Sequence, residues 1–190
     1  MKMDRILPFA RKLLETAISD GDVAVDATIG NGHDTLMLAS LVGENGHVYG
    51  YDIQKEAVNN TYSRLSENNL SERVTLFNES HNQILSTIPI QAHGKVTAAI
   101  FNLGYLPGGD KTIVTKPDST IEAIEQLLTV LAPEGIIVLV VYHGHDEGAI
   151  ERDYLIEYTS KIDQKIAHVL TYRFTNQINN PPFIIAIEKR

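Results

Sequence analysis

A short apolar run, Val23-Ala24-Val25, stops at a carboxylate, Asp26, and passes into Thr28-Ile29-Gly30-Asn31-Gly32-His33-Asp34-Thr35. An apolar run that ends in a glycine-rich turn and resumes as a helix opens a doubly wound α/β sheet. In such sheets the first strand-to-helix turn holds a nucleotide-like cofactor. The rest of the chain keeps the alternation. Runs rich in Val, Ile and Phe at 23–27, 47–52, 73–77 and 96–102 read as strands. Helical spacing covers 4–18, 34–42, 54–68 and 81–87, with Pro8 tolerated in the first turns of its helix. A loop at 103–117 precedes a helix over 118–132 that Pro133 stops, and 136–142 is apolar enough for a strand buried on both faces. A helix at 147–160 follows, then strands at 166–174 and 183–188, close enough for a hairpin. The expected fold is α/β: a doubly wound, seven-stranded, Rossmann-like sheet, mostly parallel. One strand near the C-terminus is antiparallel and is expected at an edge. Residues 1–190 are expected to form a single domain.

Bulk properties narrow the partners. Sixteen basic against 24 acidic residues give a formal net charge of −8, which argues against non-specific nucleic-acid binding but allows a local basic patch. The chain has no cysteine, so thiolate metal sites, disulfides and Cys nucleophiles are excluded together. No apolar run is long enough to span a membrane, and the N-terminal patch is too short for a signal peptide. A cytoplasmic location and no membrane partner are expected.

The turn itself suggests the cofactor. Gly30 and Gly32 allow a tight turn and close backbone approach, but a dinucleotide fingerprint wants a third glycine where Thr35 stands. Asp26 and Asp34 would repel a pyrophosphate and suit a cationic sulfonium with an α-ammonium group, which favours S-adenosylmethionine over NAD. Asp52, at the end of the second strand, is spaced to accept both ribose hydroxyls, though that spacing fits either cofactor. Ser80 and His81 follow the third strand, within reach of an adenine edge; Ser80 is equally readable as a helix cap. Cofactor contacts are thus expected from Asp26, Thr28, Gly30, Asn31, Gly32, His33, Asp34 and Thr35 of the turn. Asp52, Ile53 and Gln54, Ser80 and His81, and Asn102 complete the set.

Asn102 lies at the carboxyl end of the fourth strand, beside the crevice where the strand order reverses. Its amide can hold an amine and orient the lone pair. Gly104 lets backbone approach, and Tyr105 offers a face for a base. A plain turn with an Asn cap and a core tyrosine is the competing reading. Beyond the fifth strand, Tyr142 could stack on a ring, and His143 and His145 could accept a proton. A structural histidine is the alternative for each. No metal is expected, because two histidines this close lack a third ligand.

These four segments together resemble the class I S-adenosylmethionine-dependent methyltransferases. Asn102-Leu103-Gly104-Tyr105 is similar to their Asn-Pro-Pro-Tyr motif for planar amino groups, with Leu103-Gly104 in place of the prolines. A closer likeness rests on the glycine turn, on Asn102 through Lys111, and on Thr115-Lys116-Pro117. Tyr142-His143-Gly144-His145 and Pro181-Pro182-Phe183 belong to it too. Together they resemble the bacterial family once labelled rRNA methylases, which includes tRNA 5-aminomethyl-(2-thio)uridine-34 methyltransferases. The resemblance implies methylation of the aminomethyl nitrogen of the wobble uridine in a tRNA anticodon stem-loop. On that reading Asn102, Tyr142, His143 and His145 are catalytic candidates. Gly104, Tyr105, Lys111, Lys116, Tyr142 and Arg173 are substrate contacts, with Arg152 beside them on a positive rim. A homodimer is a further expected option. Rival readings are an rRNA or small-amine methyltransferase of the same fold, an NAD-dependent oxidoreductase, and a non-catalytic RNA-binding module.

Overall fold

Parallel strands need a crossover between them, and the chain supplies a helical one after each of its early strands. The computed structural model describes residues 2–106, 108–110 and 112–190. Among these, the strands are β1 (Val23–Asp26), β2 (His47–Tyr51), β3 (Val74–Phe77), β4 (Val96–Leu103), β5 (Leu131–Val141), β6 (Ala167–Tyr172) and β7 (Phe183–Lys189). The helices are α1 (Ile6–Ala17), α2 (His33–Leu41), α3 (Lys55–Glu67), α4 (Ile84–Thr87), α5 (Pro117–Val130) and α6 (Asp146–Ser160). The strands form one sheet in the order β3-β2-β1-β4-β5-β7-β6. Strands β1 to β5 are mutually parallel, and β7 runs antiparallel to both β5 and β6. The strand order reverses between β1 and β4, which is where a crevice opens at the carboxyl ends of the strands. No helix among the described residues is long and apolar enough to cross a membrane.

Each face of the sheet carries its own apolar layer, and the two-residue strand period decides which side chain joins which. Val25 and Ala27 of the first strand, Phe101 and Leu103 of β4, and Leu139 and Val141 of β5 pack with α4, α5 and α6. Ala24, Ala98, Ile100, Val138 and Val140 pack with Ile6, Ala10 and Leu14 of α1, Leu38 of α2 and Leu65 of α3. Continuing the period past the buried stretch sends Asn102 and Tyr142 to the α1–α2 side. Asp26 also falls on that side.

Three expectations are corrected. The antiparallel strand is not at the edge: β7 lies between β5 and β6, leaving β6 outermost. The reason is apolar content. Phe183 through Ile187 are all buried, whereas His168 through Thr171 of β6 are exposed, so the continuous apolar run takes the interior position. The helix expected to reach 132 stops at Val130, because the residue before a proline resists helical geometry. Leu131 already pairs with Val96, and the register slips across the Pro133 segment before β5 resumes at Ile136. The helix expected at 81–87 divides into a 3₁₀ turn, His81–Gln83, and the short α4.

Gly32 holds the glycine turn against α3. Its φ is +76°, and a Cβ there would lie 2.6 Å from Thr61 Oγ1 and 3.0 Å from Thr61 Cα. Gly32→Ala should therefore combine left-handed strain with a backbone clash and cost roughly 2 kcal/mol or more. Thermal unfolding should show a midpoint roughly 4–8 °C lower in a chain of this length. An unchanged midpoint would contradict the packing described.

Candidate active site

Two cavities open at the β1–β4 reversal and share a wall made by Thr28, Gly30, Asn102, Gly104 and Tyr105. The first, about 340 Å³, is bounded by Asp52, Ile53, Gln54, Glu79, Ser80 and His81 on one side. Leu106, Ile113, Val114, Thr115, Lys116 and Ser119 close the other. The second, about 520 Å³, is bounded by Leu7 and Arg11 of α1, His33 and Asp34 of α2, and Tyr142 to His145 beyond β5, with Asn180.

Hydrogen bonds fix the floor. Asp26 is fully buried and accepts from the Thr28 backbone N–H (3.2 Å) and the Thr35 hydroxyl (2.6 Å). Thr28 Oγ1 accepts from the Asn102 backbone N–H (2.7 Å), and Asn102 Nδ2 donates to Asp34 Oδ2 (2.8 Å). Arg11 Nε lies 3.7 Å from the other Asp34 oxygen. With its NH2 committed, Asn102 presents its carbonyl oxygen as the group able to accept from an amine. Asp52 accepts from the N–H groups of Gly30 (3.0 Å) and Gln54 (2.9 Å), one on each oxygen, which leaves lone pairs for two more donors. Burial raises the pKa of Asp52, and these two bonds oppose the rise.

After β4, Gly104 and Tyr105 with Val114 and Thr115 form the base of a flap. Tyr105 bridges Val114, and Gly104 exchanges bonds with Thr115 through its N–H and its C=O. Gly104 has φ +153°, and a Cβ there would meet Tyr142 Cβ at 3.4 Å, so glycine suits this close approach. Thr115 and Thr120 both donate to the buried carboxylate of Glu151 on α6. Glu151 thus ties the flap to α6. Burial raises its pKa, while the two threonines and nearby His145 oppose the rise.

The sequence-expected residues divide clearly. Thr28, Gly30, Asp52, Ile53, Gln54, Ser80, His81 and Asn102, all named as candidate cofactor contacts, line the first cavity. Ser80 also caps the following turn, accepting from Asn82 N–H at 3.5 Å. His81 is buried, with Nδ1 3.0 Å from the Ala27 carbonyl, its ring edge-on to Phe101, and Nε2 unpartnered among the described residues. Burial lowers its pKa to about 4, so the ring is neutral: Nδ1–H donates to Ala27 and Nε2 is an acceptor.

Asn31, His33 and Asp34 line the second cavity instead of the first. Asp26, Gly32 and Thr35 line neither. They sit beneath the turn and shape it, because strand parity points Asp26 under α2 rather than into the crevice. Tyr105 is placed where both cavities meet, and Tyr142 and His145 face the second.

His143 touches that cavity but has both nitrogens engaged. Arg152 donates to Nδ1 (3.3 Å), and Nε2–H donates to the Pro181 carbonyl (3.0 Å). Burial and the nearby Arg152 and Arg173 charges lower its pKa, so a proton-accepting role does not fit it. Its parity toward Phe183 explains the difference from Tyr142. Lys116 lies on the rim of the first cavity rather than the second. Arg173 lines neither, and its guanidinium sits 5.7 Å from the Phe183 ring centroid. Lys111 lies outside the described residues. Among the described residues no group of three or more His, Asp or Glu is arranged to hold a metal ion.

Sequence reasoning missed Leu7, Arg11, Thr115 and Glu151. For Arg11 the only signal was a basic residue on an amphipathic helix, which normally marks a solvated face. For Glu151 it was an acid on the inward face of a helix.

A family model described as "Putative rRNA methylase" matches residues 48–188. A chloroplastic tRNA (mnm(5)s(2)U34)-methyltransferase of Arabidopsis thaliana is 42% identical over 150 residues, covering 75% of this chain and 54% of that protein. The chain therefore spans about half the length of that relative. A crystal structure from Clostridium thermocellum, described as a "putative rRNA-methylase", is 42% identical with TM-score 0.96 over all of both chains. Another from Streptococcus mutans, a "putative methyltransferase" in complex with SAH, is 34% identical with TM-score 0.89 over 99% of both chains.

Asp26 generates a pH prediction. Burial, and then the Asp34 charge, push its pKa from 3.8 up to about 7 against the Thr35 and Thr28 bonds. The folded state therefore holds this proton more tightly than the unfolded chain. Its ionisation penalises folding increasingly as pH rises from about 4 to about 7, and no further above that. Asp26→Asn cannot ionise, while its amide can still accept from Thr28 and donate to Thr35. Urea unfolding at pH 5 and pH 8 should show the wild type losing roughly 2–3 kcal/mol more than the variant across that interval. Parallel pH dependences would show that Asp26 does not titrate there.

Proposed function

The chain belongs to the family described as "Putative rRNA methylase", and from that membership we propose that it is an S-adenosyl-L-methionine-dependent tRNA methyltransferase. Its substrate on this reading is the aminomethyl nitrogen of the wobble uridine in an anticodon stem-loop, and its product the methylaminomethyl group. The observation that carries the reading is Asn102. It stands in the wall between two cavities, with its amide NH2 held by Asp34 and its oxygen left to receive a donor.

The first cavity fits the adenosyl part of the cofactor. The lone pairs left on Asp52 suit ribose hydroxyls, His81 Nε2 and Ser80 suit a purine edge, and Gly30 keeps the turn clear of a Cβ. When bound, S-adenosyl-L-methionine supplies a methyl group on a sulfonium, open to in-line displacement by a nucleophile. The remaining contribution is positioning and exclusion of water. Asn102 accepts a hydrogen bond from the amine and orients its lone pair across the shared wall. Tyr105 and Tyr142, each more than a third exposed, offer faces to the uracil ring. Gly104 keeps the passage between them open. The Arabidopsis relative supports a tRNA substrate, while the family description favours rRNA as the rival. For an acidic chain, backbone contact with either RNA falls to local cations such as Arg11, Lys116 and Arg173, with Lys111.

Purified tRNA carrying 5-aminomethyluridine, incubated with the protein and methyl-labelled cofactor, should acquire label in the methylaminomethyl nucleoside. Ribosomal RNA should not. Asn102→Ala should lower the rate roughly 10²-fold or more, with S-adenosylhomocysteine affinity little changed. Label confined to rRNA would move the substrate, and full activity in the variant would remove Asn102 from the reaction.

A further inference from the structure

An aliphatic amine differs from a base amino group in one respect: in water near neutral pH it is mostly a cation. The second cavity should then contain an anion for it, and a route for its proton. Among the described residues lining that cavity, Asp34 is the one carboxylate. Its side chain is 16% exposed, and Oδ2 accepts from Asn102 Nδ2 at 2.8 Å. The groups facing it from neighbouring elements are Arg11 of α1, Asp26 of β1, Asn102 of β4 and Tyr142 after β5. Arg11 is half exposed and 3.7 Å away, a loose partner at the mouth that leaves the inner oxygen to the pocket. His143 has both nitrogens occupied, and His145 lines the cavity with Nε2 buried and without a hydrogen-bond partner among the described residues.

From this arrangement, and resting on the amine-acceptor reading above, we infer that Asp34 is the group that binds the acceptor's ammonium and takes its proton. One N–H of the ammonium transfers to the carboxylate, leaving a neutral amine that donates a remaining N–H to the Asn102 oxygen and turns its lone pair toward the methyl group. The N–C bond then forms as the S–C bond breaks, with that electron pair passing to sulfur. The nitrogen becomes a secondary ammonium, and Asp34 returns its proton to water at the open mouth beside Arg11. Charge and atoms balance with one proton released per turnover. This gives Asp34 a role toward the acceptor, whereas its position in the glycine turn alone suggested a role toward the cofactor. Asp26 strengthens the site electrostatically. Its proximity raises the local negative potential seen by a cation, and its own protonation limits that potential at lower pH.

The test separates acceptor from cofactor. Binding of anticodon stem-loops carrying 5-aminomethyluridine or 5-hydroxymethyluridine is measured in the presence of S-adenosylhomocysteine, for the wild type and Asp34→Asn. The wild type should prefer the amine roughly tenfold or more, the usual scale for a charge-assisted hydrogen bond, and the variant should lose that preference. S-adenosylhomocysteine affinity should stay within about threefold, which also reports that the variant is folded. In the methylation assay the variant's deficit should shrink as pH rises from 7 to 9, because free amine then forms without a carboxylate. A retained amine preference would overturn the inference, as would a parallel loss of cofactor-product affinity or a deficit independent of pH. Failure of the wild type to methylate aminomethyluridine tRNA would instead overturn the tRNA reading itself.

Discussion

A ring of hydrogen bonds around one buried carboxylate holds the reversal point together. Asp26 joins the end of β1 to the turn through Thr28 N–H and to α2 through the Thr35 hydroxyl. Thr28 passes the connection to β4 by accepting from Asn102 N–H, and Asn102 returns it to α2 through Asp34. The end of β1, the start of α2 and the end of β4 are thereby fixed relative to one another at the mouth of the crevice. A fully buried carboxylate is an expensive fastener, since burial and a neighbouring acid push its pKa to about 7. Its expense is repaid in geometry: the turn, the strand end and the helix start cannot shift independently.

Strand parity carries that geometry outward. Ala98 and Ile100 face the α1–α2 layer, so Asn102 must as well. Val138 and Val140 do the same, so Tyr142 follows. Phe101 and Leu139 face the other layer, and His143 goes with them to lie against Phe183. Two adjacent residues at the end of β5 therefore have opposite fates: one reaches the second cavity with an exposed ring, the other is fastened by Arg152 and Pro181. The same period was legible in the sequence, and applying it past residue 141 would have separated Tyr142 from His143 before any coordinates. It would also have put Asp26 beneath α2.

What the sequence could not show lies in contacts between distant segments. The alternation of strands and helices, their approximate bounds and the glycine turn are local patterns with a fixed period, and they were readable. The insertion of β7 inside β6 depends on a competition between two strands for one interior position, though the unbroken apolar run from Phe183 to Ile187 was its visible sign. Glu151 and Thr115 are 36 residues apart, and Asp34 and Asn102 are 68 apart. No spacing rule reaches that far. Arg11 and Leu7 enter the second cavity only because α1 packs across the sheet against the layer that holds Asn102.

On the function proposed above, the shared wall lets the two cavities serve one reaction. A residue that lines only the first can recognise a cofactor, and one that lines only the second can recognise an acceptor. Thr28, Gly30, Asn102, Gly104 and Tyr105 line both. Gly30 and Gly104 adopt backbone geometry that resists a Cβ, keeping the gap open, while Thr28 and Asn102 bond to each other across it. Group transfer needs donor and acceptor in contact with water shut out, so the partition between them must be thin and rigid at once. The flap supplies the cover: Glu151 anchors Thr115, Thr115 holds Gly104, and Leu106 closes over Gly30. A buried acid on each side of the crevice, Asp26 below the turn and Glu151 behind the flap, thus fixes the two walls between which the proposed transfer would occur.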